Sequence, residues 1–240
     1  MTQTPTTAST VTAWDEPVGG TPRGTVVVLP GRGETPASYA RFGRRLAADA
    51  YKVRLVSLSL DDVDDAVTTV EKLLADESLP SPKVLLGTDA GATLVATVVD
   101  SLPVDAAVIA GLALPESAEV DSWSDEVDAR SACPVHRRVI EEDEDFSRGA
   151  LNQPLPWSSV DLVPPTKPVL VLHGTADVVT PASVVEPYLA APTARVRLVE
   201  GGRHDVLNDL SHRSVAATIV LFLESLRLGA DLPDVVTVAP

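Results

Sequence analysis

One segment, residues 83–95, constrains the fold of this chain more than any other part of the sequence. It reads Lys-Val-Leu-Leu-Gly-Thr-Asp-Ala-Gly-Ala-Thr-Leu-Val, which predicts a short buried strand, a sharp turn, and a helix that opens with small residues. Gly87 and Gly91 flank the turn, where a side chain would clash because strand and helix nearly touch. This arrangement lifts one side chain, Asp89, above the end of the strand.

The rest of the chain alternates predicted strands with predicted helices. Further strands are predicted at residues 11–14, 25–29, 52–58, 105–111, 168–173 and 195–199. Helices are predicted at residues 36–50, 61–75, 90–102, 181–190 and 212–228, with shorter helical patterns at 124–129 and 134–142. Such alternation favours an α/β fold, in which a mostly parallel sheet is covered by helices on both faces.

Length and local composition predict a single domain with one irregular insertion. The chain has 240 residues, of which 45% are hydrophobic, enough for one large α/β domain over residues 11–240. Residues 1–10 are rich in Thr and Ser and are predicted to be disordered. Residues 112–167 are acidic and interrupted by prolines, and a stretch of that length between regular units predicts a lid.

Charge and hydropathy exclude several classes of partner. The net charge of −15 disfavours nucleic acid and anionic membrane surfaces, because both need a basic face. The N-terminal residues lack the basic and apolar regions of a signal peptide, and no apolar run approaches the roughly 18 residues that span a bilayer. A single cysteine, Cys133, excludes an intrachain disulfide and a multi-cysteine metal site. We therefore expect a cytoplasmic protein with a small-molecule partner, no metal and no cofactor.

Three side chains with catalytic potential follow predicted strands. Asp89, Asp177 and His204 each come directly after a strand, and ligands of open α/β sheets bind at that edge. Each also has an ordinary interpretation: Asp89 as a helix cap, Asp177 as a turn residue, and His204 as a surface histidine. Their joint placement favours a catalytic triad over three separate coincidences. His136, His173 and His212 have no comparable support, and for His173 a role in positioning a loop is favoured over that of a base.

The chain resembles the α/β-hydrolase superfamily over residues 25–228. The order of nucleophile, acid and histidine is that of the superfamily. Residues 169–181, Val-Leu-Val-Leu-His-Gly-Thr-Ala-Asp-Val-Val-Thr-Pro, resemble its acid segment. Residues 201–209, Gly-Gly-Arg-His-Asp-Val-Leu-Asn-Asp, resemble its histidine segment in the lipase and aminopeptidase-like branch. Residues 29–33, Leu-Pro-Gly-Arg-Gly, take the place of its oxyanion loop, with Pro30 where histidine is usual.

The resemblance implies a nucleophile elbow in which aspartate replaces the usual serine. An aspartate is ionised at neutral pH and needs no activation. Its attack on an ester carbonyl would give a reactive anhydride, whereas attack on a saturated carbon gives a stable ester. His204 would then activate water against that ester, with Asp177 orienting the imidazole. The backbone N–H groups of Arg32 and Ala90 would form the oxyanion hole. This chemistry is similar to that of haloalkane dehalogenases and epoxide hydrolases.

The sequence departs from those two groups near the reacting centre. Ala90 follows the nucleophile where the dehalogenases carry a tryptophan, and the predicted lid has no tyrosine of the kind that epoxide hydrolases use. Trp123 and Trp157 lie in the lid, and we expect one of them to reach a mostly apolar pocket over Asp89. Two alternatives stay open. The chain could be an inactive member of the fold that binds a small ligand, or an esterase-like enzyme with a non-standard nucleophile.

Overall fold

Seven strands form one sheet in the order β1-β3-β2-β4-β5-β6-β7. The computed structural model describes residues 9–229 and 231–237. The strands are β1 (Val11–Trp14), β2 (Gly24–Leu29), β3 (Tyr51–Val56), β4 (Lys83–Thr88), β5 (Ala106–Leu112), β6 (Val169–Gly174) and β7 (Ala194–Val199). β1 is antiparallel to β3, and the other neighbouring strands are parallel. The predicted α/β architecture is confirmed.

Helices follow most of the strands, as the alternating pattern predicts. They are α1 (Pro36–Ala48), α2 (Val63–Ala75), α3 (Asp89–Val98), α4 (Trp123–Arg130), α5 (Pro134–Glu142), α6 (Glu186–Leu189) and α7 (His212–Leu228), with 3₁₀-helices at Ala150–Asn152 and Ala182–Val185. Asp62 caps α2 by accepting from the Asp65 N–H, so that helix begins two residues later than predicted. The single helix predicted at residues 181–190 is instead a 3₁₀-helix followed by α6. Pro187 has no N–H with which to continue the bonding.

The helices pack on both faces of the sheet. Strand residues of one face, such as Val26 and Leu86, pack with residues of α1 and α7 in one apolar cluster. The alternate residues, such as Val27 and Leu85, pack with α2 and α3 in a second cluster. All six residues of β2, all seven of β5 and all six of β6 are buried. These central strands are therefore apolar on both faces, as the sequence predicts.

The segment between β5 and β6 contains α4 and α5 and contacts two loops at the carboxyl edge of the sheet. The Ser147 N–H donates to the carbonyl of Gly33, which follows β2, at 3.0 Å. The carbonyl of Ala129 in α4 accepts from the His204 N–H, which follows β7, at 3.2 Å. This segment corresponds to the predicted lid, residues 112–167, and its function as a lid stays a prediction.

The first residues that the structure describes, Ser9 and Thr10, are hydrogen-bonded to helix α2 and to the residue after β3. The Ser9 N–H donates to Asp65 Oδ2 at 2.6 Å, and the Ser57 N–H donates to the Thr10 carbonyl at 2.9 Å. Residues 1–8 of the predicted disordered segment lie outside the described residues. None of the described helices is long and apolar enough to cross a membrane.

Candidate active site

Asp89 occupies the turn between β4 and α3 in a strained backbone conformation. Its φ is 47°, in the left-handed region that few residues other than glycine, asparagine and aspartate adopt. The turn is this tight because α3 approaches the sheet closely. A Cβ on Gly91 would lie 2.3 Å from the carbonyl oxygen of Leu29, and one on Gly87 would lie 2.2 Å from the carbonyl oxygen of Gly91. Both glycines are therefore required by the packing, as predicted.

Asp177 lies in the turn after β6, where its two carboxylate oxygens have different partners. Oδ1 accepts from the backbone N–H groups of Val179 and Thr180, at 2.8 and 3.0 Å. Oδ2 faces His204 Nδ1 at 2.7 Å and His173 Nε2 at 3.2 Å. The backbone thus fixes the carboxylate in an orientation that leaves one oxygen for the histidines.

His204 follows β7 and connects the two carboxylates. Its Nδ1 is 2.7 Å from Asp177 Oδ2, and its Nε2 is 3.1 Å from Asp89 Oδ1. The three predicted residues are therefore brought together in one hydrogen-bonded chain, and all three are buried. Since each ring nitrogen faces a carboxylate, both nitrogens donate and the imidazole carries a positive charge.

Arg32 contributes a second positive charge to the site. Its backbone N–H donates to Asp89 Oδ2 at 2.7 Å, which is the position predicted for an oxyanion-hole amide. Its guanidinium also binds Asp89: Nη2 donates to Oδ1 at 2.8 Å and Nε donates to Oδ2 at 3.0 Å. The remaining nitrogen, Nη1, donates to the carbonyls of Leu151 and Gln153 at 2.6 and 2.9 Å.

The four charges of this site compensate one another. Burial alone would raise the pKa of Asp89, but the adjacent Arg32 and His204 hold that pKa well below its usual range. Burial alone would lower the pKa of His204, but the facing carboxylates of Asp177 and Asp89 outweigh it and raise the pKa to about 10. Burial also opposes the charge of Asp177, and its histidine partners hold its pKa below the usual value. At neutral pH the site therefore holds two carboxylates, an imidazolium and a guanidinium.

A second buried network supports the Gly31–Glu34 turn next to Asp89. Glu34 Oε2 accepts from the Gly31 N–H at 2.8 Å and from the hydroxyl of Tyr39. Arg130 Nη2 donates to the Arg32 carbonyl at 2.8 Å and to Glu126 Oε1 at 2.7 Å. Burial, together with the charge of Asp205, raises the pKa of Glu34. The peptide that carries the Arg32 N–H is thus held from both sides.

The other predicted site residues lie at different distances from this centre. Ala90 is fully buried in the first turn of α3 and belongs to a small apolar cluster with Ala113 and Leu155, against which Trp157 packs. Trp157 therefore lies near the elbow. Trp123 packs instead within the segment between β5 and β6, with its ring centroid 5.7 Å from that of Phe146. The described contacts of Trp123 do not bring it to Asp89.

Two further histidines are buried beside the triad. His173 Nε2 is 2.9 Å from the Thr180 carbonyl as well as near Asp177, so it holds the acid turn, as the sequence interpretation favoured. His136 Nε2 forms a separate pair with Asp205 Oδ2 at 2.8 Å. Within the described ranges, no three His, Cys, Asp or Glu side chains converge to hold a metal ion.

A cavity of about 560 Å³ lies beside Arg32. Leu58, Leu60 and Pro154 supply apolar surface, while the remainder of the wall is mainly polar. The polar and glycine residues of the wall are Gly31, Arg32, Gly33, Glu34, Ser59, Asp61, Asp145, Ser147 and Gln153. The lining of this cavity is therefore mixed, and Asp89 is not part of it. The mostly apolar pocket expected over Asp89 stays a prediction.

Sequence reasoning missed the guanidinium of Arg32 and the Glu126–Arg130 pair. It used Arg32 for its backbone N–H alone. A signal for the side chain was available, because an ionised aspartate in an apolar elbow needs a nearby cation. The Glu126–Arg130 pair has i, i+4 spacing on α4, but such spacing is common on exposed helix faces, so nothing in the sequence indicates that this pair is buried.

Comparisons with known proteins give the fold. No family model and no curated protein matches the sequence. Among solved structures, a monoacylglycerol lipase of Paleococcus ferrophilus matches with a TM-score of 0.70 and 17% identity, over 92% of this chain and 100% of that one. A soluble variant of the monoglyceride lipase of Saccharomyces cerevisiae matches with a TM-score of 0.68 and 13% identity, over 91% of this chain and 92% of that one. A proline iminopeptidase of Mycobacterium smegmatis matches with a TM-score of 0.66 and 18% identity, over 92% of this chain and 95% of that one.

These structures share the α/β-hydrolase fold. The chain therefore has that fold, as its motifs predicted. At such low identity the likeness carries the architecture, and the chemistry must be argued from the residues of this chain.

Proposed function

We propose that this protein is a hydrolase in which Asp89 is the nucleophile and forms a covalent ester intermediate. The observation that carries the proposal is that the two carboxylate oxygens of Asp89 have different partners. Oδ1 faces His204 Nε2 at 3.1 Å, while Oδ2 accepts from the Arg32 N–H at 2.7 Å. One oxygen is thus next to the base, and the other already binds the amide that would hold an oxyanion.

The reaction would proceed in two steps. Asp89 Oδ1 attacks a saturated carbon, the bond from that carbon to its leaving group breaks, and the leaving group takes the electron pair. His204 first releases its Nε2 proton to solvent. Water then attacks Asp89 Cγ while the neutral His204 Nε2 takes a proton from it. The negative charge develops on Oδ2, next to the Arg32 N–H and with the Ala90 N–H as the second proposed donor. The Cγ–Oδ1 bond breaks, and His204 returns the proton to the departing alcohol. The new Asp89 carboxyl group then gives its own proton to His204, which restores the free site.

Ester formation would itself prepare His204 to act as a base. In the free site two carboxylates hold the imidazole protonated, with a pKa of about 10. Alkylation neutralises Asp89 and leaves His204 with one facing carboxylate, so its pKa falls toward the working range of a general base. The imidazole can therefore lose its proton at neutral pH and is available as a base at the step that needs one.

The substrate would be a small molecule, and the cavity beside Arg32 supports an apolar body with polar substituents. Trp157, which packs near Ala90, is the aromatic side chain best located to contact it. We further propose that the segment 112–167 acts as a lid, since its Leu151 and Gln153 carbonyls hold the guanidinium that covers Asp89. Structural neighbours named as lipases, an esterase and a peptidase support a hydrolase of some kind.

A binding protein without turnover is the second candidate. The observation in its favour is the Arg32 guanidinium, because a carboxylate with several donors on it is a weaker nucleophile. In that case the pair of Asp89 and Arg32 would be a structural replacement for a lost serine, and a ligand would leave unchanged.

Mass spectrometry of the His204→Ala protein separates the two candidates. After exposure to styrene oxide and allyl bromide, we expect an added mass on the peptide that contains Asp89, because the ester forms but is not hydrolysed. His212→Ala is the matched control and should carry no lasting adduct. Asp89→Ala should show no adduct at this peptide. Turnover that survives Asp89→Ala unchanged would exclude the proposed mechanism.

A further inference from the structure

The guanidinium of Arg32 lies where a substrate carbon would have to approach Asp89. Nη2 is 2.8 Å and Nε is 3.2 Å from Asp89 Oδ1, the same oxygen that faces His204. The side chains of Arg32 and Asp89 are only 4% and 3% exposed. A substrate can therefore reach Oδ1 only after the guanidinium has moved away from it.

The surroundings allow that movement without freeing the whole side chain. Arg32 Nη1 is bound to the carbonyls of Leu151 and Gln153, and these two bonds do not involve Asp89. The cavity of about 560 Å³ borders Arg32 and Gln153. Rotation about the Nη1 contacts would carry Nη2 and Nε off Oδ1 and into this space, while the guanidinium stays anchored.

We propose, on the basis of the nucleophile assigned to Asp89 above, that Arg32 is the catalytic residue that receives the leaving group. In a displacement at saturated carbon, the leaving atom departs on the side opposite to the attacking oxygen. When the substrate carbon takes the place that Nη2 and Nε have left, the displaced guanidinium would face that side from its Nη1 anchor. Its N–H groups donate hydrogen bonds to the departing anion, and no proton is transferred.

The charges of the site support this assignment. In the free site the guanidinium neutralises Asp89, and after alkylation Asp89 is an uncharged ester while the leaving group is an anion. The partner of Arg32 thus changes from the carboxylate to the leaving anion, and the net charge of the buried site is unchanged. The geometry therefore favours substrates whose leaving group departs as a stable anion, such as a halide on a saturated carbon.

No described tyrosine has its hydroxyl hydrogen-bonded to Asp89. Tyr39 binds Glu34, and Tyr51 binds Glu224. Tyr188 is fully buried in the apolar cluster beneath α3. Arginine suits the task, because its charge is permanent and its N–H donors form a planar fork.

The test is the rate of adduct formation on Asp89 in the His204→Ala background, with allyl chloride, allyl bromide and allyl iodide as probes. We expect Arg32→Met to slow the alkylation of Asp89 by allyl chloride on the order of a hundredfold, which is the usual effect of removing one hydrogen-bond donor from a developing anion. The loss with iodide should be much smaller, because iodide departs with little help. Arg197→Met, on the exposed side of β7, is the matched control and should leave all three rates unchanged.

The variant Arg32→Lys helps to separate a specific loss of leaving-group binding from a general loss of folding. It keeps a positive charge beside Asp89 but loses the fork, so the chloride rate should again fall more than the iodide rate. For each variant, the rate of adduct formation with allyl chloride is divided by the rate with allyl iodide. A general loss of structure would lower both rates together and leave this ratio unchanged.

The outcomes distinguish this inference from the proposed function. If Arg32 merely covers the carboxylate, Arg32→Met will accelerate alkylation by all three allyl halides or leave it unchanged. That result would contradict the leaving-group role of Arg32 but not the role of Asp89 as nucleophile. If no halide forms an adduct with Asp89 in the His204→Ala background, the nucleophile and the leaving-group role fall together.

Discussion

A single residue, Asp89, determines the electrostatics of this site. A serine in the same turn would be neutral, whereas a buried carboxylate is costly unless it is paired and hydrogen-bonded. Arg32 and His204 supply both the charges and the hydrogen bonds. The sequence could predict the triad, because Asp89, Asp177 and His204 each follow a recognisable strand. The need of a buried, ionised Asp89 for a cation could also be predicted. That Arg32 supplies this cation could not, since an arginine between two glycines gives no sign of the direction of its side chain.

The elevated pKa of His204 predicts a pH dependence of stability. The pKa is about 10 in the folded protein against an ordinary value of 6.5. The stabilisation from the charged imidazole is therefore complete below pH 6.5 and is lost as pH rises toward 10. The melting temperature of the wild type should exceed that of His204→Gln most at the lower end of this range, and the gap should shrink steadily with rising pH. A gap that stays constant from pH 6.5 to 10 would show that His204 is not charged in the folded state.

Among the helices and strands, the crossing of α3 over the sheet determines where Asp89 lies. Gly87 and Gly91 allow the helix to approach β2 and β4 within contact distance of the backbone. The sequence predicted this crossing well, because a glycine on each side of a strand-to-helix turn is typical of a close backbone approach. It predicted the bounds of α5 and α7 as the structure has them. The helix predicted at residues 181–190 failed, because Pro187 interrupts the backbone bonding there.

Substitution of Gly91 tests this close approach. A Cβ there would lie 2.3 Å from the Leu29 carbonyl oxygen, so the backbone must shift, and we expect Gly91→Ala to cost about 3 kcal/mol. Gly201 is the control: its φ is positive, unlike that of Gly91, but an added Cβ meets nothing within 4 Å. Gly201→Ala should cost about 1 kcal/mol from the left-handed conformation alone. Urea unfolding of both variants gives the comparison, and equal costs would contradict the predicted clash.

Across the protein as a whole, the segment between β5 and β6 is tied to the active-site loop by buried charges. Arg130 binds Glu126 of its own helix and the Arg32 carbonyl, while the ring of Phe146 lies 4.9 Å from its guanidinium carbon. The alternation of strands and helices predicted the layered sheet, and composition predicted an irregular insertion. Neither could predict the bond from Arg130 to the Arg32 carbonyl, because these residues lie almost a hundred positions apart and Arg130 stands in a segment without regular periodicity.

The Arg130 network predicts a strongly non-additive pair of substitutions. Arg130→Met leaves the buried Glu126 carboxylate without its cation, and we expect a loss of about 3 kcal/mol or more. Adding Glu126→Gln removes that charge while keeping one carbonyl oxygen as an acceptor for the Gly149 N–H. The double variant should therefore be more stable than Arg130→Met alone. A double-mutant cycle by chemical denaturation measures the coupling, and additive losses would argue against a buried ion pair.

The fate of water oxygen during a single turnover shows directly whether Asp89 is the nucleophile. With wild-type protein in excess over allyl bromide in heavy-oxygen water, hydrolysis at Asp89 Cγ should place one heavy oxygen in the Asp89 carboxylate. The first alcohol released should carry the original light oxygen of Asp89. If instead the label appears in the alcohol and the Asp89 peptide keeps its original mass, water attacks the substrate directly and Asp89 is not the nucleophile.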